Sequence, residues 1–372
     1  MAILLVGTAC ILLLLRITVF SSDSQRDRKG LLIVAGILFV TILGCRNGQI
    51  NYGTDLNSYY RAYQRALLAN NIPDLIATNV YQELGYPIMC FVFSRVIKWD
   101  QFIIFFQAAF CCGVTLRYIY KHSRDVFMSI MVFMSMGLLQ FYLTGFRQAF
   151  AISICLLALE SAEKKHYLRT IIFTLLAISF HQTAILFIPI LLLVRMRITK
   201  YSFLLDTVVF VALYRLGPWL VEIGNSMFDK NYAYQAYGNA LGGLINIIIE
   251  SFVIITMIVS IGGAEQGRGI KYTWNKEIEI YDSNKETSAQ ISYHYFHVLF
   301  LGMILYALRY QTTTIERVSF YYTGTLMVLL PQVINDCFFA RTKHILRMIF
   351  CAGMIFLIYW RMSGIEYVPF WR

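Results

Sequence analysis

Apolar residues follow one another along this chain in long uninterrupted runs separated by short polar stretches. Strands of a membrane barrel alternate between apolar and polar residues, whereas continuous runs are typical of helices. A helix needs ~20 apolar residues to cross a bilayer and some runs are shorter, so we predict about ten to twelve crossings. The runs cover residues 2–20, 31–45, 86–97, 101–120, 126–144, 146–160, 167–180, 184–194, 203–221, 241–262, 294–309, 318–334 and 345–361.

The composition points to the same class of protein. Of 372 residues, 58% are hydrophobic and only 14% are charged, which excludes an ordinary soluble domain. We therefore expect an all-α, polytopic helical membrane protein in which residues 1–372 form a single integral membrane domain. The first run has neither a basic head nor a small-residue cleavage site, so we interpret it as a membrane helix. The eight cysteines lie in or beside apolar runs without a CxxC spacing, which is typical of small buried hydrophobic residues.

The net charge of +11 does not indicate nucleic-acid binding, because Lys and Arg cluster in short turns between the apolar runs. That clustering is the pattern of cytoplasmic loops. We place on the inner side the basic turns within 21–30, 121–125, 160–169, 195–200 and 341–347, together with the polar stretch 264–292. The stretch 264–292 is then a cytoplasmic loop, either a solvated connector or a contact for another assembly protein.

This orientation gathers several polar residues on the outer side. Residues 126–160 become a hairpin with Arg147 and Gln148 at its tip, and residues 167–194 a second hairpin with His181 and Gln182 at its tip. The stretch 310–317, with Glu316 and Arg317, also falls outside, as does loop 46–85. A chain that passes from the outer loop 46–85 to the inner turn 121–125 must cross the membrane an odd number of times. Two apolar runs, 86–97 and 101–120, lie between them. We therefore expect 86–97 to be a re-entrant or interfacial half-helix, although a true crossing would place loop 46–85 inside.

Loop 46–85 begins at Arg46 and predicts a short amphipathic helix on the outer surface. Thr54 or Asp55 is its expected N-cap. An apolar stripe follows at Leu56, Tyr59, Tyr60, Tyr63 and Leu67. The tyrosines suit either packing or contact with a sugar. Glu83 stands where the chain re-enters apolar sequence, and desolvation there would raise its pKa and suit a general base, unless Glu83 only stabilises a helix start.

Charged residues at membrane depth are costly, so we treat them as candidates for function. Arg147 presents a planar fork for phosphate oxygens, although it could also extend to lipid headgroups. His181 could carry a proton, donate to phosphate or be structural. Glu316 and Arg317 form either a surface pair or a second anion-binding group.

Glu250, in the middle of a run, suits a proton relay or a pair with Arg215. His294 and His297 lack a third metal ligand in sequence, so we predict no metal. No Walker loop, GxGxxG, GxSxG, HExxH or EF-hand pattern is present.

Arginines, carboxylates and a histidine surrounded by aromatic residues at the outer membrane face suit a substrate that combines lipid, phosphate and sugar. Arg can neutralise a pyrophosphate leaving group, and a carboxylate or His can take the proton of an attacking hydroxyl. ATP does not reach that face, so an activated lipid-linked donor would have to drive the reaction.

Five motifs occur in order over residues 46–322: Arg46 with YGTDLNSYY, then QELGY, TGFRQAFA, SFHQTA and IERVSFYY. In this the chain resembles bacterial polysaccharide repeat-unit polymerases of the Wzy/EpsG group. The resemblance implies a GT-C-like membrane glycosyltransferase that joins undecaprenyl-pyrophosphate-linked oligosaccharides into exopolysaccharide, capsule or O-antigen. The reaction would take place at the outer face of the bacterial cytoplasmic membrane, without metal or cofactor. Arg147, Arg317 and Arg46 would bind pyrophosphate.

The resemblance implies a base among Glu83, Asp55 and His181 without ranking them. Further substrate contacts are expected from Gln148, Tyr59, Tyr86, Gln182 and Glu316. The second hairpin carries His181 where a second arginine tip would be expected, which departs from a mechanism with two arginine hairpins. The partners would be the lipid-linked oligosaccharide, membrane lipids and other polysaccharide-assembly proteins. The alternatives are a non-catalytic flippase of lipid-linked oligosaccharides or an assembly scaffold, and a glycan ligase or acyltransferase. A flippase predicts polar residues through the whole membrane depth, including Gln107 and Glu250.

Overall fold

The structure is a computed structural model that describes residues 1–371 apart from 23, 51–54, 79–80, 82, 197, 229–239, 266–269, 274–276, 283–284, 293–294 and 311–312. Helices dominate the described residues. The first ten are α1 (Ala2–Thr18), α2 (Gln25–Gly44), α3 (Leu56–Leu68), α4 (Ile72–Ala77), α5 (Gly85–Val96), α6 (Phe102–His122), α7 (Val126–Ser135), α8 (Leu138–Thr144), α9 (Phe146–Glu163) and α10 (Tyr167–Phe180). The others are α11 (Ile190–Leu193), α12 (Lys200–Phe228), α13 (Ala240–Glu265), α14 (Phe296–Ala307), α15 (Thr313–Thr323), α16 (Leu326–Asp336) and α17 (Ala340–Met362).

The predicted helical character of the apolar runs is confirmed, but several runs are not single helices. The run 126–144 divides into α7 and α8, which are bent by 48°. Gly137 joins them with a φ of 97°, a left-handed conformation that glycine adopts readily. The run 184–194 is also interrupted, as a 3-10 helix (Gln182–Phe187) followed by the four-residue α11. Pro189 stands between these two pieces and lacks the N–H that a continuous helix requires.

Judged by length and hydropathy, fewer helices could cross a membrane than the sequence suggests. Among the described residues, three helices are long and apolar enough, namely Phe102–His122, Gly243–Ser260 and Ala340–Met362. The bent pair of α7 and α8 would make a fourth. Shorter apolar helices include α1, α10, α14 and α16. The protein is thus a helical membrane protein, and the number of ten to twelve crossings stays a prediction.

Contacts between Cα atoms group the chain into two compact units, which we describe separately. Unit 1 comprises residues Met1–Ser161, His166–Ile185 and Arg347–Arg372. In it, α2 packs on α6, α3 packs on α5, and α10 contacts the N-terminal part of α5. The segment after α2 is held by the C-terminal segment, because the Asn47 N–H donates to the Val368 carbonyl and the Phe370 N–H donates to the Cys45 carbonyl.

Unit 2 comprises Ala162–Lys165 and Leu186–Leu346. Here α14 packs against α12, α13 and α15, and α13 also contacts α16. The predicted loop 264–292 contains three short strands, β1 (Ile270–Thr273), β2 (Glu277–Asp282) and β3 (Lys285–Ser292). They form an antiparallel sheet in the order β1-β2-β3, in which Tyr272 is opposite Ile278 and Ile278 is opposite Ile291. This sheet is a departure from the expected all-α structure.

The amphipathic helix expected in loop 46–85 is α3, whose buried face includes Leu56, Tyr59, Tyr60 and Tyr63. Asp55 holds the predicted N-cap position, and its side chain makes no capping hydrogen bond. Thr54 lies outside the described residues. The following α5 has 12 residues, which is shorter than the ~20 that a crossing requires.

Candidate functional site

Glu83 lies at the centre of a polar cluster in unit 1 that joins the two predicted hairpin tips. Its Oε2 accepts a short hydrogen bond from Arg147 Nη1. Its Oε1 accepts a hydrogen bond from the Gln182 backbone N–H at 3.1 Å and lies 3.6 Å from His181 Nδ1. Three segments that are distant in sequence therefore meet at one carboxylate. The predicted proximity of Glu83, Arg147 and His181 is observed.

Helix ends place these side chains. Arg147 is in the first turn of α9, immediately after the break between α8 and α9 at Gly145. His181 follows the last residue of α10 in an extended conformation, and Glu83 precedes the start of α5. Residues at helix ends are free to turn toward a common point because the regular backbone hydrogen bonding stops there.

Arg147 is also packed against aromatic rings. The guanidinium carbon lies 4.1 Å from the centroid of the Tyr81 ring and 5.9 Å from that of Tyr59. Only 14% of the Arg147 side chain is exposed, against 6% for Glu83. Buried Nε of Arg147 has no hydrogen-bond partner among the described residues.

Four aromatic residues pack together next to this pair, namely Tyr59, Tyr81, Tyr86 and Phe146. Tyr59 stacks on Tyr81 at 5.8 Å and on Phe146 at 5.1 Å between ring centroids. Tyr86 meets Tyr59 and Phe146 edge to face, and its hydroxyl donates to the Tyr59 carbonyl. Tyr86 is fully buried and Tyr59 is 6% exposed. Both predicted sugar-contact tyrosines therefore serve packing in this structure, and Tyr81 is the more exposed ring beside Arg147.

The electrostatics of Glu83 differ from the prediction. Burial by itself raises the pKa of Glu83, but Arg147, the backbone hydrogen bond from Gln182 and His181 outweigh that effect. The net result is a pKa below the ordinary value of a glutamate, so the expected rise is wrong. Glu83 is ionised at neutral pH and stabilises positive charge on its neighbours.

Arg46, Gln148 and Asp55 are further predicted residues of unit 1. Arg46 is buried, donating from Nε to the Leu43 carbonyl and from Nη1 to the Leu143 carbonyl. It thus fixes the backbone just before the tip that carries Arg147. Gln148 is also buried, at 3% exposure, and Asp55 is exposed at the start of α3.

The predicted pair of Glu316 and Arg317 lies in unit 2. Glu316 accepts a hydrogen bond from Arg309 Nη1 at 3.2 Å, while Arg317 is exposed. Arg309 is 5% exposed and was missed in the sequence, as was Tyr81. The rule that identified Arg147, a charge at the end of an apolar run, also fits Arg309 at the end of the run 294–309.

His294 lies outside the described residues. His297 is buried and pairs with Asp206, with 2.7 Å between Nδ1 and Oδ2.

Two further residues weighed in the sequence are buried in helices. Gln107 donates to the Tyr142 carbonyl at 3.2 Å, where α8 nears its end, and so serves the backbone of unit 1. Glu250 is 1% exposed within α13. In the described part of the chain, no group of three or more His, Cys, Asp or Glu side chains is placed to hold a metal ion.

Comparison with known proteins gives one match. The family model described as EpsG family matches residues 30–368, most of the chain, and that range includes every candidate residue named above. No curated protein and no solved structure matches.

Proposed function

We propose that this chain, which belongs to the EpsG family, is a membrane glycosyltransferase that polymerises lipid-linked oligosaccharide repeat units. The donor would be a growing glycan on undecaprenyl pyrophosphate and the acceptor an incoming unit, at the outer face of the cytoplasmic membrane. The convergence of Arg147, Glu83 and His181 is the main support. A phosphate-binding fork, an acid and a proton carrier then share one location.

Arg147 would bind the pyrophosphate of the donor. Its guanidinium is oriented by Tyr81 and Glu83, and such orientation lowers the entropy lost when a ligand binds. Arg147 also stands in the first turn of α9, where backbone N–H groups and the helix dipole favour an anion. As the glycosidic bond breaks, negative charge grows on the pyrophosphate oxygen, and the arginine stabilises it.

Among the three candidate bases we favour His181. Glu83 already accepts from Arg147 and Gln182 and has a lowered pKa, which makes it a poor proton acceptor. Because Glu83 faces His181 Nδ1, it favours a proton on that nitrogen and leaves Nε2 to accept one. Asp55 is exposed and stays a less favoured alternative.

The proposed reaction exchanges one bond at the anomeric carbon of the donor sugar for another. The acceptor hydroxyl oxygen bonds to the anomeric carbon of the donor sugar while the bond from that carbon to pyrophosphate breaks. The hydroxyl proton passes to His181 Nε2, and Glu83 stabilises the resulting imidazolium. The lipid pyrophosphate leaves as an anion. Arg317 remains a candidate for pyrophosphate contact, Arg46 is a less favoured one because it donates to main-chain carbonyls, and a GT-C-like architecture belongs to the same proposal.

Purified full-length protein incubated with an undecaprenyl-pyrophosphate-linked repeat unit tests this function. We expect a ladder of products on a gel, absent for Arg147→Ala and retained for Arg61→Ala, an exposed arginine on α3. Single unchanged units with wild-type protein would favour a flippase or scaffold, and transfer only to a different acceptor would favour a ligase. A ladder of normal length from Arg147→Ala would overturn the assigned site.

A further inference from the structure

Unit 2 contains a second buried arginine whose surroundings resemble those of Arg147. Arg309 Nη1 donates to the Tyr306 hydroxyl at 2.5 Å and to Glu316 Oε1 at 3.2 Å. The guanidinium carbon also lies 5.1 Å from the centroid of the Tyr306 ring. Both arginines therefore combine a carboxylate partner with a tyrosine ring.

The backbone of α13 closes one side of this arginine. A methyl group on Gly243 would stand 3.0 Å from Cδ, Nε and Cζ of Arg309. Such a distance is tighter than ordinary van der Waals contact, so the guanidinium lies directly on the helix backbone. Glycine at this position therefore allows the cation to be buried and held in one orientation.

Glu316 stands on the more accessible side of the pair. Its side chain is 17% exposed, whereas that of Arg309 is 6% exposed. Glu316 also lies in the first turn of α15, where a helix favours negative charge. A phosphate group has the same charge sign and a matching geometry for the arginine fork, so it can replace the carboxylate. The carboxylate would then turn outward into solvent rather than remain buried without a partner.

We propose that Arg309, Tyr306 and the backbone at Gly243 form a second anion subsite, which Glu316 occupies until a phosphate or pyrophosphate group displaces it. The identity of the ligand rests on the proposed function. Polymerisation brings two lipid pyrophosphates to one enzyme, and only one of them is cleaved. A buried cation held in place by Tyr306 and Glu316 suits the pyrophosphate that stays intact.

Isothermal titration of the detergent-purified full chain with inorganic pyrophosphate tests this subsite. All variants carry Arg147→Gln, which removes the first anion site, so the measurement does not depend on polymerase activity. We expect Glu316→Gln to tighten binding by about tenfold, because the competing charge is gone. Arg309→Gln should abolish binding. The control Arg341→Gln, an exposed arginine of α17, should bind as the parent does.

Glu316→Gln and Arg309→Gln should change pyrophosphate affinity in opposite directions, and this difference distinguishes a ligand site from a structural ion pair. If the pair is only structural, both Glu316→Gln and Arg309→Gln leave pyrophosphate binding unchanged or weaken it alike, and the proposal is overturned. Arg309→Lys covers the case in which Arg309→Gln does not fold; it keeps the charge but loses the fork, and we expect weaker binding. Excess phosphatidylglycerol in the micelles should leave the signal intact. Loss of the signal there would assign the subsite to a membrane headgroup and overturn the substrate assignment.

Discussion

Gly85 faces the main-chain carbonyl of Ser179 so closely that a methyl group on Gly85 would stand 2.6 Å from that oxygen. Gly85 follows Glu83 by two residues, and Ser179 precedes His181 by two residues. The absence of a side chain at Gly85 therefore lets the start of α5 approach the end of α10. This approach sets the 3.6 Å separation between Glu83 and His181.

Gly85→Ala should separate the two helix ends and lower polymerase activity by about tenfold or more, because small displacements of reacting groups are costly in rate. Gly113→Ala is the matched control, since a Cβ at Gly113 meets nothing within 4 Å. The measurement is the initial rate of ladder formation at equal amounts of folded protein. Equal rates for both alanine variants would show that the contact between α5 and α10 does not position the cluster.

Glu83→Gln should lower stability at neutral pH by ~3 kcal/mol, because a buried arginine loses its ionised partner. A lowered pKa in the folded protein means that the stabilisation is present above the ordinary carboxyl pKa of ~4.3 and is lost as pH falls through the folded value. The gap in melting temperature between wild type and Glu83→Gln should thus be constant above ~pH 5 and close below it. Glu366→Gln, at an exposed carboxylate, should show no such gap. A gap that widens in acid would contradict the lowered pKa.

His181→Gln should reduce kcat by ~100-fold or more and leave KM nearly unchanged, because a general base acts on the reaction step rather than on binding. Initial rates over a range of lipid-linked donor concentrations give the two parameters separately. Gln182→Ala is a useful comparison, because the contact of residue 182 with Glu83 is made by its backbone N–H. A loss confined to KM in His181→Gln would instead indicate a role in holding phosphate.

Arg46→Gln should act on stability more than on ligand binding. Arg46 donates to two main-chain carbonyls in a buried setting, and hydrogen bonds to a charged group contribute roughly 1.5–3 kcal/mol each. We expect a lower melting temperature with little change in the pyrophosphate affinity of the folded fraction. An unchanged melting temperature together with lost pyrophosphate binding would place Arg46 in the anion site.

Local patterns in the sequence were sufficient to predict the helices and several candidate residues. Continuous apolar runs depend only on neighbours in the chain, so they predict helices without knowledge of the packing. The break at 136–137 also had a local signal in Gly137, but a glycine within an apolar run does not by itself decide between a bend and a continuous helix.

Charge placement by itself identified Arg147 and His181 as residues of one face, because basic turns orient the hairpins. Tertiary packing decided the rest. It brought Glu83 between those two residues and lowered its pKa, gave Arg46 carbonyl partners instead of an open position, and buried Arg309 against Glu316 while Arg317 stayed exposed. The physical reason is that desolvation and ion pairing are set by groups far apart in sequence, and their energies depend steeply on distances that only the packed helices determine.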